Sequence, residues 1–208
     1  MTIRLIKKPK HMSDGKQPIE NSLWCWNNKI PKNICEKIIM SADDTWDTAE
    51  FGGRDGKGLI DPSVRKTDVH FANEDWIYNL IEPYMVQANK NANWNFDISG
   101  VESYQIGRYE SSVSGHYDWH QDSLGTWNSI HNKPNRPNLH GKARKISMSL
   151  ILNDDYEGGE LEIFGQPKHY YGQGSMIFFP SWMLHRVTPV TKGIRYSLVM
   201  WHIGAPFR

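Results

Sequence analysis

From Trp94 onward the chain breaks into short β-prone runs separated by turn signals, and that rhythm constrains the fold more than any other feature. The runs are 101–109, 116–120, 145–152, 160–164, 175–179, 185–190 and 195–203, and the turns between them include Asn153-Asp154-Asp155, Gly158-Gly159, Gly172-Gln173-Gly174 and Thr191-Lys192-Gly193. Short alternating strands at such spacing fit a sandwich or a jelly roll. Two helical patterns precede them. Pro31 opens the first, where Ile34, Cys35, Ile38 and Ile39 recur at helical spacing and Asp43 and Asp44 end the apolar face. Asn73 stands as an N-cap for the second, with Trp76, Ile77, Leu80, Ile81, Tyr84 and Met85 on one face as far as about Lys90; Pro83 inside it predicts a kink or a break. Between the helices, 41–61 reads as a loop, with Gly52-Gly53, Gly56 and Gly58, and 64–71 reads as a strand. The expected architecture is therefore mainly β, with the helices backing one face of a sheet.

A length of 208 residues suits one domain, 1–208, divided into a polar lead-in (1–23), a helical support region (24–94) and a β core (95–208). Nine Trp, nine Tyr and seven Phe within a 38 % hydrophobic composition supply a core and argue against disorder. Basic and acidic side chains nearly cancel, 24 against 23, which gives no sign of a polyanionic partner and disfavours nucleic acid. Cys25 and Cys35 are too few for a disulfide scaffold and fit no zinc spacing, so they read as free thiols in a reducing compartment. Met1–Lys10 is charged without an apolar stretch, and no later segment is long and apolar enough for a bilayer. A soluble, cytoplasmic protein without a membrane partner is expected, its oligomeric state left open.

The chemistry lies in the β half. His120-Gln121-Asp122 puts an imidazole and a carboxylate two residues apart at a strand end, where alternation aims both at one face. His185, at the start of a late strand, completes a set of two His and one carboxylate, which leaves coordination sites open on an octahedral metal and suits Fe(II). An HxD pair alone arises readily by chance, and His116-Tyr117-Asp118 is a second one; the turn signal after Asp122 favours the later pair, at the strand's mouth. Alternation places 116, 118, 120 and 122 on one face and does not separate the two. Arg195 adds weight. If 185–190 and 195–203 form a hairpin around 191–193, Pro189 pairs with Arg195, and the arginine stands roughly 14 Å from His185, a gap that its side chain and a five-carbon diacid would bridge. Arg186 and Lys192 are the other cations nearby.

These pieces resemble a known family. Tyr117-Asp118-Trp119-His120-Gln121-Asp122, Leu152-Asn153, Gly158-Gly159-Glu160-Leu161-Glu162-Ile163-Phe164, the run from Leu184 to Arg195, and Trp201 look like the prolyl-hydroxylase-like branch of the Fe(II)/2-oxoglutarate-dependent oxygenases. The resemblance implies a double-stranded β-helix with iron on His120, Asp122 and His185 and with 2-oxoglutarate held by Arg195 and Tyr109. It also implies dioxygen as co-reactant and ascorbate as a stimulant. The expected activity is hydroxylation of a prolyl or other residue in a peptide or protein. An oxygenase acting on a small molecule and a non-enzymatic jelly-roll binding module are the alternatives. A tyrosine that some members carry before Asn153 is absent, since Leu150 and Ile151 stand there. The nucleic-acid demethylase branch carries a second arginine six residues after the first, where this chain has Trp201, and a zinc hydrolase lacks its glutamate base. Residues 123–144, rich in Asn, Pro, Gly and basic side chains, read as a lid in which Trp127, His131, Arg136, His140, Lys142 and Arg144 line an extended peptide, or as a solvated polar loop.

Overall fold

The computed structural model describes residues 21–42, 45–50, 58–125 and 136–207. Among these, the order of elements is β1 (Trp24–Trp26), α1 (Lys32–Met40), β2 (Asp47–Thr48), β3 (Arg65–Lys66), β4 (Asp68–Ala72), α2 (Asp75–Asn91), β5 (Gly100–Val101), β6 (Tyr104–Glu110), β7 (His116–His120), β8 (Ala143–Ile151), β9 (Glu157–Gly158), β10 (Leu161–Ile163), β11 (Met176–Pro180), β12 (His185–Val187), β13 (Val190–Lys192) and β14 (Ile194–Gly204). All pairings are antiparallel. The larger sheet runs β1-β11-β8-β14-β6-β4-β2, with β5 beside the far end of β14; the smaller runs β10-β12-β7-β3, and β13 pairs with β9. This is the mainly β jelly roll with supporting helices that the strand rhythm predicts.

Period-two alternation divides the larger sheet into a helix-facing side and an inner side. Ile146, Met148 and Leu150 of β8 line up with Leu198 and Met200 of β14, Tyr104 and Ile106 of β6, and Met176 and Phe178 of β11. This row packs on Cys35 and Ile38 of α1 and on Ile77, Ile81, Met85 and Ala88 of α2, and it forms the main core. Truncating a fully buried Ile77 or Ile81 to Ala there would cost about 2–5 kcal/mol. The inner side is more polar. Ser147, Ser149, Ser197, Gln105 and Arg195 are buried on it, and toward β10 it becomes apolar, where Ile151, Ile177 and Phe179 meet Leu161 and Ile163 of the smaller sheet. The space between the sheets therefore has a polar floor.

Several local expectations need correction. The run at 64–71 is two strands: β3 pairs with β7 in the smaller sheet, and β4 pairs with β6 in the larger, so the chain changes sheets at Thr67. Glu74, not Asn73, is the N-cap of α2, and Asn73 instead accepts a hydrogen bond from the Tyr78 hydroxyl at 3.1 Å. Pro83 does not break α2, which continues to Asn91; Pro83 and Asn79, whose carbonyl loses its helical donor, are both exposed, so water can satisfy that carbonyl. β1 and β2 arise where no strand is expected. Arg144 belongs to β8 rather than to the loop. Asp43, Asp44, Gly52, Gly53, Gly56, Trp127 and His131 lie outside the described residues.

The largest departure concerns 185–203. No hairpin joins β12 to β14: β12 lies between β10 and β7, whereas β14 lies between β8 and β6 in the other sheet. Pro189 has no N–H for a ladder, so the strand ends at Val187, and 190–192 pair with β9 before Gly193 turns the chain at φ +73°. Arg195 therefore faces the interior from the sheet opposite His185. Among the described residues no helix is long and apolar enough to cross a membrane.

Candidate metal and cosubstrate site

His120 at the end of β7 and His185 at the start of β12 are direct cross-strand partners, their ring centroids 4.1 Å apart. Asp122 follows just past β7, where its amide donates to Ser181 O at 3.0 Å. The His185 Nε2 lies 3.6 Å from Asp122 Oδ2, and the His120 Nε2 lies 4.0 Å from Asp122 Oδ1. One ligand atom from each residue falls within 4.8 Å of the other two. The register slips by one between His185 and Val187, because Val187 pairs with Tyr117. That bulge breaks strict alternation, so Tyr117 and His120, three apart, share the inner face and stack at 3.5 Å and 15°. Position 118 consequently leaves the face predicted for it. Asp118 is exposed and caps the Trp119 amide, and the His116 ring contacts the carbonyls of Ser114 and Ser63. Of the two HxD pairs, the structure brings 120 and 122 to His185 and leaves 116 and 118 outside.

Protonation states follow from the partners. His120 Nδ1 lies 2.7 Å from Asp118 O, and His185 Nδ1 lies 2.8 Å from Met183 O. Carbonyls only accept, so both Nδ1 atoms carry the proton and donate, and both Nε2 lone pairs are left facing Asp122. Burial, then the neighbouring His185, holds the His120 ring well below the ordinary imidazole value, as a neutral ligand must be. Burial pushes the Asp122 carboxyl up, but His185, His120, Arg144 and the Ser147 hydroxyl outweigh it and keep it below the usual carboxylate value. Ser147 Oγ donates to Asp122 Oδ2 at 2.6 Å and lies 3.0 Å from Ser181 Oγ. Arg144, forked onto Glu102 at 2.5 and 2.9 Å, stacks 3.9 Å over Trp201. Two imidazoles and a carboxylate supply three donors, fewer than an octahedral ion takes, and are the donor set of a divalent metal with open positions.

Arg195 is 1 % exposed. Its Nη1 donates to Ser197 Oγ at 3.0 Å, while Nε and Nη2 are buried without a partner among the described residues. A guanidinium seldom persists in an interior without a counter-charge, and two free N–H groups on one fork match a carboxylate. Tyr109 is its cross-strand partner, and the guanidinium carbon sits 5.1 Å from that ring. Tyr109 packs with Val187, Val190, Tyr117 and Tyr156, and Tyr117 stacks on His120, so an unbroken line of contacts joins Arg195 to the triad. The two cations that the sequence offers as rivals are taken: Arg186 holds Glu162 at 2.7 Å, and Lys192 holds Glu157 at 2.8 Å. These residues fit a dicarboxylate cosubstrate. Sequence reasoning missed Ser147, although polar residues at alternate positions of an otherwise apolar strand are the signal that marks it. Arg65 of β3 is buried beside the same line of contacts, with its guanidinium 4.4 Å from the Tyr117 ring.

The model of the 2OG-Fe(II) oxygenase superfamily matches residues 104–203. A PKHD-type hydroxylase from Idiomarina loihiensis is 43 % identical over 185 residues, which cover 84 % of this chain and 74 % of that protein. The chain belongs to the 2OG-Fe(II) oxygenase superfamily. A PKHD-type hydroxylase from Alteromonas mediterranea is 39 % identical over 97 residues, 45 % of this chain. The matched stretches span 40 % of the Alteromonas protein and 27 % of related proteins from Synechococcus. In fold, this superfamily member is similar to a viral collagen prolyl hydroxylase from Paramecium Bursaria Chlorella virus-1, with a TM-score of 0.64 at 19 % identity over 89 % of this chain and 97 % of that one. It is also similar to a Pseudomonas putida prolyl-4-hydroxylase, with a TM-score of 0.63 at 16 % identity over 87 % and 92 %. Membership in the superfamily implies Fe(II), 2-oxoglutarate and dioxygen as the reaction's requirements.

Proposed function

We propose that the chain is an Fe(II)- and 2-oxoglutarate-dependent hydroxylase acting on a prolyl residue of a peptide or protein, in a cytoplasmic, reducing setting that suits its two free thiols. The single observation that carries the reading is Arg195, a buried guanidinium with two unpartnered nitrogens in the same interior as the His-His-Asp cluster. His120 and His185 would hold the iron through Nε2 and Asp122 through a carboxylate oxygen; Arg195, with Tyr109 beside it, would hold the distal carboxylate of 2-oxoglutarate. When bound, the iron and cosubstrate supply the oxidising chemistry, and no acid–base side chain is needed. The chain's own contribution is placement. The two backbone carbonyls fix both imidazole tautomers, Ser147 orients Asp122, and the wall of Tyr109, Tyr117 and Val187 keeps water from the path between the triad and Arg195. Support for a prolyl substrate comes from the names of the relatives and of the proteins that share the fold.

The test is succinate formation from 2-oxoglutarate with Fe(II), with and without proline-bearing peptides, and mass spectrometry of the peptides. A proline-dependent rise in succinate together with a peptide gain of about one oxygen mass supports the reading, and His185→Ala should abolish both. Turnover stimulated only by free amino acids or other small molecules would move the substrate assignment to the small-molecule class. No 2-oxoglutarate turnover with any substrate would leave the binding-module alternative.

A further inference from the structure

Three successive carbonyls between β11 and β12 orient the candidate metal site. Ser181 O accepts the amides of Asp122 and Ser123 at 3.0 and 3.1 Å, Trp182 O accepts Gln121 Nε2 at 2.5 Å, and Met183 O accepts His185 Nδ1 at 2.8 Å. The Ser181 hydroxyl adds a fourth link, through Ser147 to Asp122. Two of the three candidate ligands therefore take their placement from one short segment that is neither helix nor strand, and such a segment needs an external support to stay rigid.

That support is aromatic. The Trp182 indole meets Phe96 at 5.5 Å and Phe207 at 5.2 Å, and Phe96 meets Phe207 at 5.1 Å, so the three rings form a closed triangle of edge-to-face and tilted contacts. Lys145 Nζ lies 3.3 Å from the centre of the Phe207 ring, in a site where burial lowers the lysine's pKa and the charge of Asp97 offsets this only in part. Phe207 also reaches the other side of the site: its amide donates to Gly125 O at 2.9 Å, and a β-carbon on Gly125 would stand 2.5 Å from its ring. Gly125 is three residues past Asp122 and donates its own amide to Ser123 Oγ at 3.0 Å. One ring thus braces both the segment that holds Asp122 and the chain that leaves it.

We propose that Trp182 and Phe207 are positioning residues for the metal site, holding the 181–183 carbonyls and the 122–125 exit in the geometry that lets Asp122 and His185 bind one ion. This rests on the reading of His120, Asp122 and His185 as metal ligands. Neither aromatic touches the metal, so the readout is the ion itself: Co(II) affinity by calorimetry and the visible ligand-field spectrum of the Co(II) complex, together with the melting temperature of the metal-free protein. Phe207→Leu and Trp182→Leu keep apolar bulk but lose the ring contacts. Both should bind Co(II) at least tenfold more weakly with an altered spectrum, and Phe207→Tyr should restore both to within about twofold. Should Trp182→Leu fail to fold, Phe207→Leu carries the test. Wild-type affinity and spectrum in the leucine variants, even with a lowered melting temperature, would reduce the triangle to ordinary packing and overturn the proposal. No Co(II) binding by the unsubstituted chain would instead overturn the metal-ligand reading beneath it.

Discussion

Gly159 lies directly against the Arg195 side chain: a β-carbon at position 159 would stand 2.8 Å from Arg195 Cδ, and its φ of +66° is in the left-handed region. The sequence marks Gly158-Gly159 as a turn and as part of the family-like motif, and the second glycine forms one wall of the arginine's slot. Gly159→Ala should therefore push the guanidinium out of line and weaken 2-oxoglutarate binding at least tenfold while leaving metal affinity unchanged. Calorimetric titration of 2-oxoglutarate into the Mn(II)-loaded variant measures this; an unaltered affinity would show that the slot has room to spare.

Arg195→Met separates two effects that oppose each other. With ligand absent, Nε and Nη2 are buried without partners, and replacing a buried unpaired cation by an apolar chain of similar length removes a cost. The ligand-free variant should melt at or above the wild-type temperature. Its 2-oxoglutarate affinity should fall by about 2–4 kcal/mol, since a charge-assisted forked contact is lost. Thermal scans with and without 2-oxoglutarate read both at once, and a ligand-induced gain in the variant equal to wild type would assign the carboxylate to another group.

The two HxD motifs give a paired comparison. Asp122→Ala should lose bound metal and all turnover, because this carboxylate sits beside both Nε2 atoms. Asp118→Ala should keep its metal: the Asp118 carboxylate is exposed and, among the contacts described, bonds only its neighbour's amide, while the carbonyl that holds His120 Nδ1 belongs to the backbone and survives the substitution. Metal content of the two purified variants decides the assignment, and the reverse pattern would transfer it to the earlier motif.

Acid should destabilise the protein through His202, which is 1 % exposed. Burial lowers its pKa from 6.5 to about 4. The unfolded chain takes up a proton here below pH 6.5 and the folded one does not until about 4, so this contribution is complete above pH 6.5 and is lost as the pH falls through that window. The loss is of order 3 kcal/mol at most. Glu82, whose Oε2 lies 3.7 Å from Nε2 and whose own pKa is raised by burial, is the acidic group facing it. Urea unfolding at pH 6.5 and 4.5 should show a smaller pH effect for His202→Gln than for wild type; identical slopes would place the acid sensitivity elsewhere.

Much of this was legible because local signals coincided with strand ends. His120, Asp122 and His185 each sit where a β run meets a turn, and the helix stripes mark the residues that form the main core. What was not legible depends on partners distant in sequence. The hairpin expected around 191–193 assumed that neighbouring strands pair, whereas Pro189 cannot donate to a ladder and β14 pairs instead with β6 and β8. The shared face expected for 116 to 122 assumed unbroken alternation, and the bulge opposite Val187 cancels it. The Ser147–Asp122 contact spans 25 residues and two sheets, and no spacing rule announces it.

Thr67 carries a mechanical consequence. It alone links β3 in one sheet to β4 in the other, and it is pinned on both sides, its hydroxyl donating to His116 O at 3.3 Å and its carbonyl accepting the Ala49 amide at 2.9 Å. A one-residue crossing has no slack. Along that edge the sheets are stapled by the backbone itself, so the gap between them has a stiff seam beside Tyr117 and Arg65. Any breathing that admits a bulky molecule must be borne by the opposite margin, where β10 and β11 are joined by the longer stretch 164–175, and the cavity would open as a book does, about its spine.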